Sequence, residues 1–180
     1  LGVEYSQDPV SKEITYNQRD YAMNITPIKI TKERSRQPWK LATDKEVAAL
    51  RAVNGALGWL SSQSRPDLAV QTSLSQQCFP NPTVEHLLLA NQAVRRARQH
   101  SDLNIKVAFI DPAELTVCFW SDAAFANAAN HKTQGGWLMA LTSKQFAEGA
   151  DCPVSFVGWE SYKLPRVVSS TLAGEAQCFS

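Results

Sequence analysis

The sequence predicts an α+β chain with α/β character in its second half: a β-hairpin, a helical block, then a strand-rich region closing on a helix. Two observations predict it. Apolar residues alternate with period two near the start and again from Ile105 onward, and between about residues 43 and 99 they recur with the helical period. The charge changes sign at the same place, with 13 basic and 10 acidic residues in 1–105 (+3) against 5 and 7 in 106–180 (−2). Two regions follow, 1–104 and 105–180, with a boundary near Ser101–Asn104.

Each element has its own signal. Gly2–Ser6 and Glu13–Tyr16 alternate around Gln7-Asp8-Pro9, a hairpin leading to a short helix at Asn17–Asn24, which Pro27 ends. Ile28–Leu41 has no period and carries Lys29, Lys32, Arg34, Arg36 and Lys40 with Pro38 and Trp39, so it reads as an ordered connector. Thr43 or Asp44 caps the next helix, with Val47, Leu50, Val53 and Leu57 on one face. Pro66 takes an allowed first-turn position of the helix after it. Asn81-Pro82-Thr83 opens a third, with Val84, Leu87, Leu88, Asn91 and Val94 inward and Arg95, Arg96 and Arg98 near its C-terminal end, where cations complement the helix dipole. Short β-branched and aromatic runs at Ile105–Ile110, Leu115–Trp120, Trp137–Leu141 and Val154–Trp159 predict strands. A final helical pattern falls at Leu172, Ala176 and Phe179.

Composition bounds the function. The 180 residues are 44% hydrophobic and 19% charged, which is globular and excludes collagen, coiled coil and wholesale disorder. A net charge of +1 leaves no global field toward nucleic acid or an anionic membrane, so any basic surface is local. No apolar run approaches the roughly 18 residues of a membrane helix, and no membrane partner is expected. The first residues carry no initiator Met and no secretion signal, so an intracellular location, cytoplasmic or nuclear, is expected, and both ends read as the interior of a longer polypeptide. Cys78, Cys118, Cys152 and Cys178 are spaced too widely for a Cys-x-x-Cys pair and read as reduced, buried thiols.

The chemistry-bearing candidates lie in the second region. Alternation along Leu115–Asp122 places Asp122 on the face of Thr116, Cys118 and Trp120, where the strand is expected to give way to Ala123-Ala-Phe-Ala126. A lone buried carboxylate costs several kcal/mol unless paired or bound to a cation. Glu175 lies on the final helix among Ala173, Gly174 and Ala176, which permit close approach. A strand carboxylate and a helix carboxylate across one cleft would suit Mg²⁺. Position alone also fits a turn residue and a solvated helix face. Likewise Arg95, Arg96 and Arg98 fit a solvated face. Trp59, Trp120, Trp137 and Trp159 read as core, and Trp39, between Pro38 and Lys40, as a stacking candidate. His86, His100 and His131 share no ligand spacing.

Eight fragments, in order, resemble a known family. Leu1-Gly-Val-Glu-Tyr with Ile14-Thr-Tyr-Asn-Gln-Arg-Asp-Tyr21, Ala52-Val-Asn-Gly-Ala-Leu-Gly-Trp-Leu60, Ser64-Arg-Pro-Asp-Leu-Ala69 and Asn81-Pro-Thr-Val-Glu-His86 resemble the last part of the reverse transcriptase of copia-type LTR retrotransposon Pol polyproteins. Trp120-Ser-Asp-Ala123, Thr133-Gln-Gly-Gly-Trp-Leu138, Val154-Ser-Phe-Val-Gly-Trp159 and Ser169-Ser-Thr-Leu-Ala-Gly-Glu175 are similar to the start of that family's RNase H domain.

The resemblance implies a reverse-transcriptase tail, with a palm hairpin and helical thumb or connection over 1–104, followed over 105–180 by the opening of an RNase H-like mixed sheet with its first helix. It implies that Asp122 and Glu175 are catalytic metal ligands for Mg²⁺ in a parent that synthesises DNA on RNA and degrades the RNA strand of RNA:DNA hybrids. The hybrid and the remainder of the Pol polyprotein are the implied partners, and Arg34, Arg36, Trp39, Lys40, Arg95, Arg96 and Arg98 the nucleic-acid-binding candidates. Two departures stand out: no carboxylate follows Glu175, and no adjacent aspartates occur anywhere. Neither active site is complete by that pattern, so these 180 residues are expected not to be efficient catalysts by themselves. The competing expectation is a catalytically inactive, retroelement-derived module that binds nucleic acid or another protein.

Overall fold

The computed structural model describes residues 2–128, 132–166 and 168–179, and is a mixed α+β chain. It divides into two compact units, one of Gln18–Leu103 with the first residues of the chain, the other of Glu4–Asn17 with Asn104 onward. The change of unit at Leu103–Asn104 falls where the hydrophobic period changes.

The first unit is helical: α1 (Arg19–Asn24), α2 (Lys32–Ser35), α3 (Asp44–Gln63), a 3₁₀ turn at Pro66–Leu68, α4 (Ala69–Gln76) and α5 (Val84–Gln99). Helix α3 starts where it does because Thr43 and Glu46 close a capping box. The Glu46 N–H donates to Thr43 Oγ1 and the Thr43 N–H to Glu46 Oε2. Its Leu50, Val53, Leu57 and Leu60 are buried against Leu68 and against Leu87, Ala90 and Val94 of α5. Several polar side chains of this unit are matched, whereas Thr72 Oγ1 and Gln18 Nε2 are buried without a hydrogen-bond partner among the described residues. Asn91 accepts from the Ile28 N–H at 2.7 Å and donates to the Ile28 carbonyl at 2.8 Å, which binds the connector to α5 much as a strand partner would. Arg65, almost wholly buried, donates to Asp67 at 2.7 Å and 2.9 Å and to the Ala97 carbonyl at 3.0 Å. Burial alone would raise the Asp67 pKa, but Arg65 and then Arg96 overcome it and hold the carboxyl below its usual range.

The second unit holds two three-stranded sheets. In the first, β1 (Glu4–Gln7), β2 (Ile14–Asn17) and β3 (Ile105–Val107) run in that order. The opening hairpin therefore goes with the later residues, because Ile14, Thr15 and Tyr16 pair with Val107, Lys106 and Ile105. In the second, β4 (Leu115–Ala128), β5 (Lys132–Ser143) and β6 (Ser155–Lys163) form a meander, followed by α6 (Thr171–Phe179). Every strand pair among the described residues is antiparallel, so the mixed sheet expected from sequence is here an antiparallel meander. Strand β4 also continues past Asp122 to Ala128 instead of yielding at Ala123. Ala, poor in strand propensity, is carried there by pairing with Gly135 and Gln134 of β5.

Helix α6 lies on one face of this meander. Alternation puts Ala123, its partner Gly135 and Tyr162 beyond it on that face, beneath Ala173, Cys178, Leu164 and Val168. The approach is close because two positions lack a Cβ. One built on Gly174 would stand 3.2 Å from Ala123 Cβ, and one on Gly135 would collide with Cys178 Sγ. Two tryptophans expected in the core are not there: Trp59 is 42% exposed and Trp120 41%, the latter touched edge-on by Phe146.

Candidate functional site

Strand β4 and helix α6 carry the two carboxylates singled out by sequence, and the fold brings their backbones together. Gly174, the residue before Glu175, sits over Ala123, the residue after Asp122. The Cys178 thiol donates to the Asp122 carbonyl oxygen at 3.2 Å. The side chains do not follow. In the regular pairing of Ser121, Asp122 and Ala123 with Trp137, Gly136 and Gly135, Ala123 faces α6, so alternation turns Asp122 to the opposite face with Trp120. Asp122 is exposed there, its Oδ1 accepting the N–H of Ala123 at 2.8 Å. On α6 the inward stripe is Ala173, Gly174, Gln177 and Cys178, which leaves Glu175 exposed with Leu172 and Ala176.

The two carboxylates therefore do not converge on a common point, and the arrangement does not fit Mg²⁺. Oxygen ligands for that ion must lie about 2.1 Å from one centre in octahedral geometry. No group of three or more His, Cys, Asp or Glu side chains able to hold a metal ion occurs among the described residues. The sequence places Asp122 where the strand is expected to give way to Ala123–Ala126; the strand instead continues, paired with Gly136 and Gly135, which fixes the side of the sheet on which Asp122 leaves. No step through a bound cation follows from this geometry.

The basic candidates in the first unit separate into two groups. Arg34 is committed internally: it donates to Glu46 at 2.9 Å and 2.8 Å and to the Leu41 carbonyl at 2.7 Å. Its hydrogen bonds, with Thr43's after them, bring the Glu46 pKa down to about 2. Arg98 donates to the Ile25 carbonyl at 2.8 Å, and Arg96 reaches Asp67 at 3.4 Å. Arg34 ties the connector to α3, while Arg98 and Arg96 tie Ile25 and the Pro66 turn to α5. Arg36, Lys40 and Arg95 are exposed and make no ion pair among the described residues.

Trp39 is 72% exposed on a hydrogen-bonded turn. The Lys40 N–H donates to the Gln37 carbonyl at 3.1 Å, which makes Gln37–Lys40 a β-turn with Pro38 and Trp39 at its centre. Its carbonyls then cap α5: Pro38 accepts from the Glu85 N–H at 3.0 Å and Lys40 from the Val84 N–H at 2.9 Å. Sequence reasoning missed Arg51, which is exposed on α3 with its guanidinium 5.3 Å above the Phe79 ring. It lies outside the apolar period of α3, the one signal the sequence offers.

His86 accepts the Thr83 N–H at 3.0 Å through Nδ1 and serves the start of α5. His131 lies outside the described residues. The four cysteines are free; Cys178 is buried, the others are partly buried, and burial raises the pKa of Cys78. No described helix is long and apolar enough to cross a membrane. Set against family models, curated proteins and solved structures, the chain matches none of them.

Proposed function

We propose that this chain corresponds to the part of a copia-type Pol polyprotein where the last helices of the reverse transcriptase meet the first strands and helix of RNase H. We further propose that by itself it handles nucleic acid without hydrolysing it. One observation carries the RNase H correspondence and the lack of hydrolysis: the long strand bearing Asp122 and the helix bearing Glu175 are packed together through Gly174 and Ala123, while strand alternation turns the Asp122 carboxyl away from that helix. The order of elements, an antiparallel meander followed by a helix across its first strand, supports the RNase H side. Exposed cations without an ion pair among the described residues, Arg36 and Lys40 in the connector and Arg95 on α5, support the nucleic-acid side.

In a hydrolytic site the attacking water and the leaving oxygen need charge placed on both sides of one phosphate. Asp122 and Glu175, as placed, supply no shared pocket for that. The inactive-module reading therefore describes the chain alone, and the nuclease reading its parent.

The test is cleavage of an end-labelled RNA:DNA hybrid by this chain, by the parent polyprotein, and by the parent carrying Asp122→Asn. The expected result is cleavage by the parent alone, with at least about 100-fold loss in the variant. Undiminished cleavage by the Asp122→Asn parent would remove Asp122 from the chemistry and the RNase H reading with it.

A further inference from the structure

The Pro38–Trp39 turn combines features that its hydrogen bonds alone do not require. A tryptophan with 72% of its surface in water is an unfavourable placement for the largest apolar side chain. Yet the backbone holds it there firmly, through the Gln37–Lys40 turn and the two carbonyls that cap α5. The capping uses Pro38 and Lys40 backbone oxygens and would survive any side chain at position 39.

The charged residues nearest to Trp39 in sequence are mostly basic. Arg36 lies three residues before it and Lys40 directly after it, both exposed and without an ion pair among the described residues, whereas Arg34 is paired with Glu46. Leu41, two residues on and 64% exposed, forms the rim of a groove of about 400 Å³ that also includes Val47, Pro80 and Pro82. Arg51 stands in its wall, fixed over Phe79, and Asp44 is the one carboxylate in the lining. Glu33 and Glu85 are the other acids close in sequence or hydrogen bonding to the turn.

We infer that Trp39 is a stacking platform for an unpaired nucleobase, with Arg36, Lys40 and Arg51 holding the phosphates of a single-stranded segment. An aromatic side chain has only two rotatable bonds to fix on binding, and every base has a face to offer it. A base inside a duplex or hybrid is already stacked on both sides and offers none. This inference rests on the nucleic-acid reading proposed above and narrows it to single strands.

The test is a titration of a fluorescent ten-nucleotide oligo(dT) strand, and of an RNA:DNA hybrid of the same length, at several salt concentrations. The single strand is expected to bind more tightly than the hybrid. Trp39→Ala should weaken single-strand binding about tenfold with the salt slope unchanged. Trp39→Phe, which keeps a ring, should recover most of the affinity. Arg36→Ala with Lys40→Ala should instead flatten the log–log slope by about 1.4, near 0.7 per phosphate contact. All these side chains are exposed, so the variants should keep the wild-type circular dichroism and melting temperature. Equal binding by wild type and Trp39→Ala, preference for the hybrid, or no binding of the strand would each overturn the inference. Hybrid cleavage by the parent is independent: loss there with Asp122→Asn, alongside unchanged oligonucleotide binding here, would sink the platform and leave the RNase H reading standing.

Discussion

Gly174 of α6 lies against Ala123 of β4 so closely that a methyl group on the glycine would stand 3.2 Å from the alanine Cβ. Helix and sheet meet there through the two smallest side chains, and Gly135, across the sheet from Ala123, extends the same contact to Cys178 and Leu164.

Larger side chains should part them. Gly135→Val would drive its branches into Cys178 and Leu164, and Gly174→Val into Ala123, each costing about 1–3 kcal/mol through overpacking. Urea denaturation would show it, and hydrogen exchange should place the loss in α6. Gly149→Ala, on a turn at φ 84 with open space around it, should be destabilising through backbone strain alone, leaving α6 protection unchanged.

Neutralising the two acidic candidates should not affect stability. Asp122 and Glu175 are exposed and point apart, so Asp122→Asn and Glu175→Gln should each change it by less than about 0.5 kcal/mol. Two carboxylates crowded into one unfilled pocket would repel, and removing either charge would stabilise the chain. A gain above about 1 kcal/mol in thermal unfolding would mean the pair does converge.

Acid should weaken the first unit through Glu46. Its pKa in the folded chain is about 2 against an ordinary 4.5, chiefly because Arg34 donates to it. A carboxyl depressed in this way stabilises the fold fully above its unfolded value and loses that contribution as pH falls through about 2. The stability difference between wild type and Arg34→Ala, followed by denaturant titration, should be constant above pH 5 and shrink between about pH 4.5 and 2. A difference that stays the same down to pH 2 would remove the ion pair as its source.

Asp67 should be the costlier member of the buried cluster to lose. Asp67→Ala strands the guanidinium of Arg65, whose side chain is only 3% exposed, and should cost about 3 kcal/mol. Replacing both partners, Arg65→Met with Asp67→Leu, should cost less than the single change, since no buried charge is left alone. Chemical denaturation of the two variants checks the order.

The helical block was largely legible in the sequence. Leu50, Val53 and Leu57 are buried as their spacing predicts, and Thr43 caps as its position predicts, because both depend on contacts within a few turns of one helix. The hairpin around Asp8 was legible for the same reason: Asp8 Oδ1 accepts the N–H groups of Val10 and Ser11 within the turn itself.

Long-range pairing was not legible. That β2 joins β3, some ninety residues away, depends on a partner no local period names. Nor did sequence show that Arg34 and Arg98 are spent on Glu46 and Ile25 while Arg36 and Lys40 remain open, because a cation's availability depends on what folds against it. By itself the sequence determined most of the helix and strand segments, though not the short helix α2 in the connector or the full length of β4 and β5, and which residues carry charge or aromatic surface. Only the tertiary structure decided the direction of each side chain: strand β4, by pairing on through Ala123, turns Asp122 from the helix that brings Glu175 near, and the alternation of a paired strand leaves no local choice.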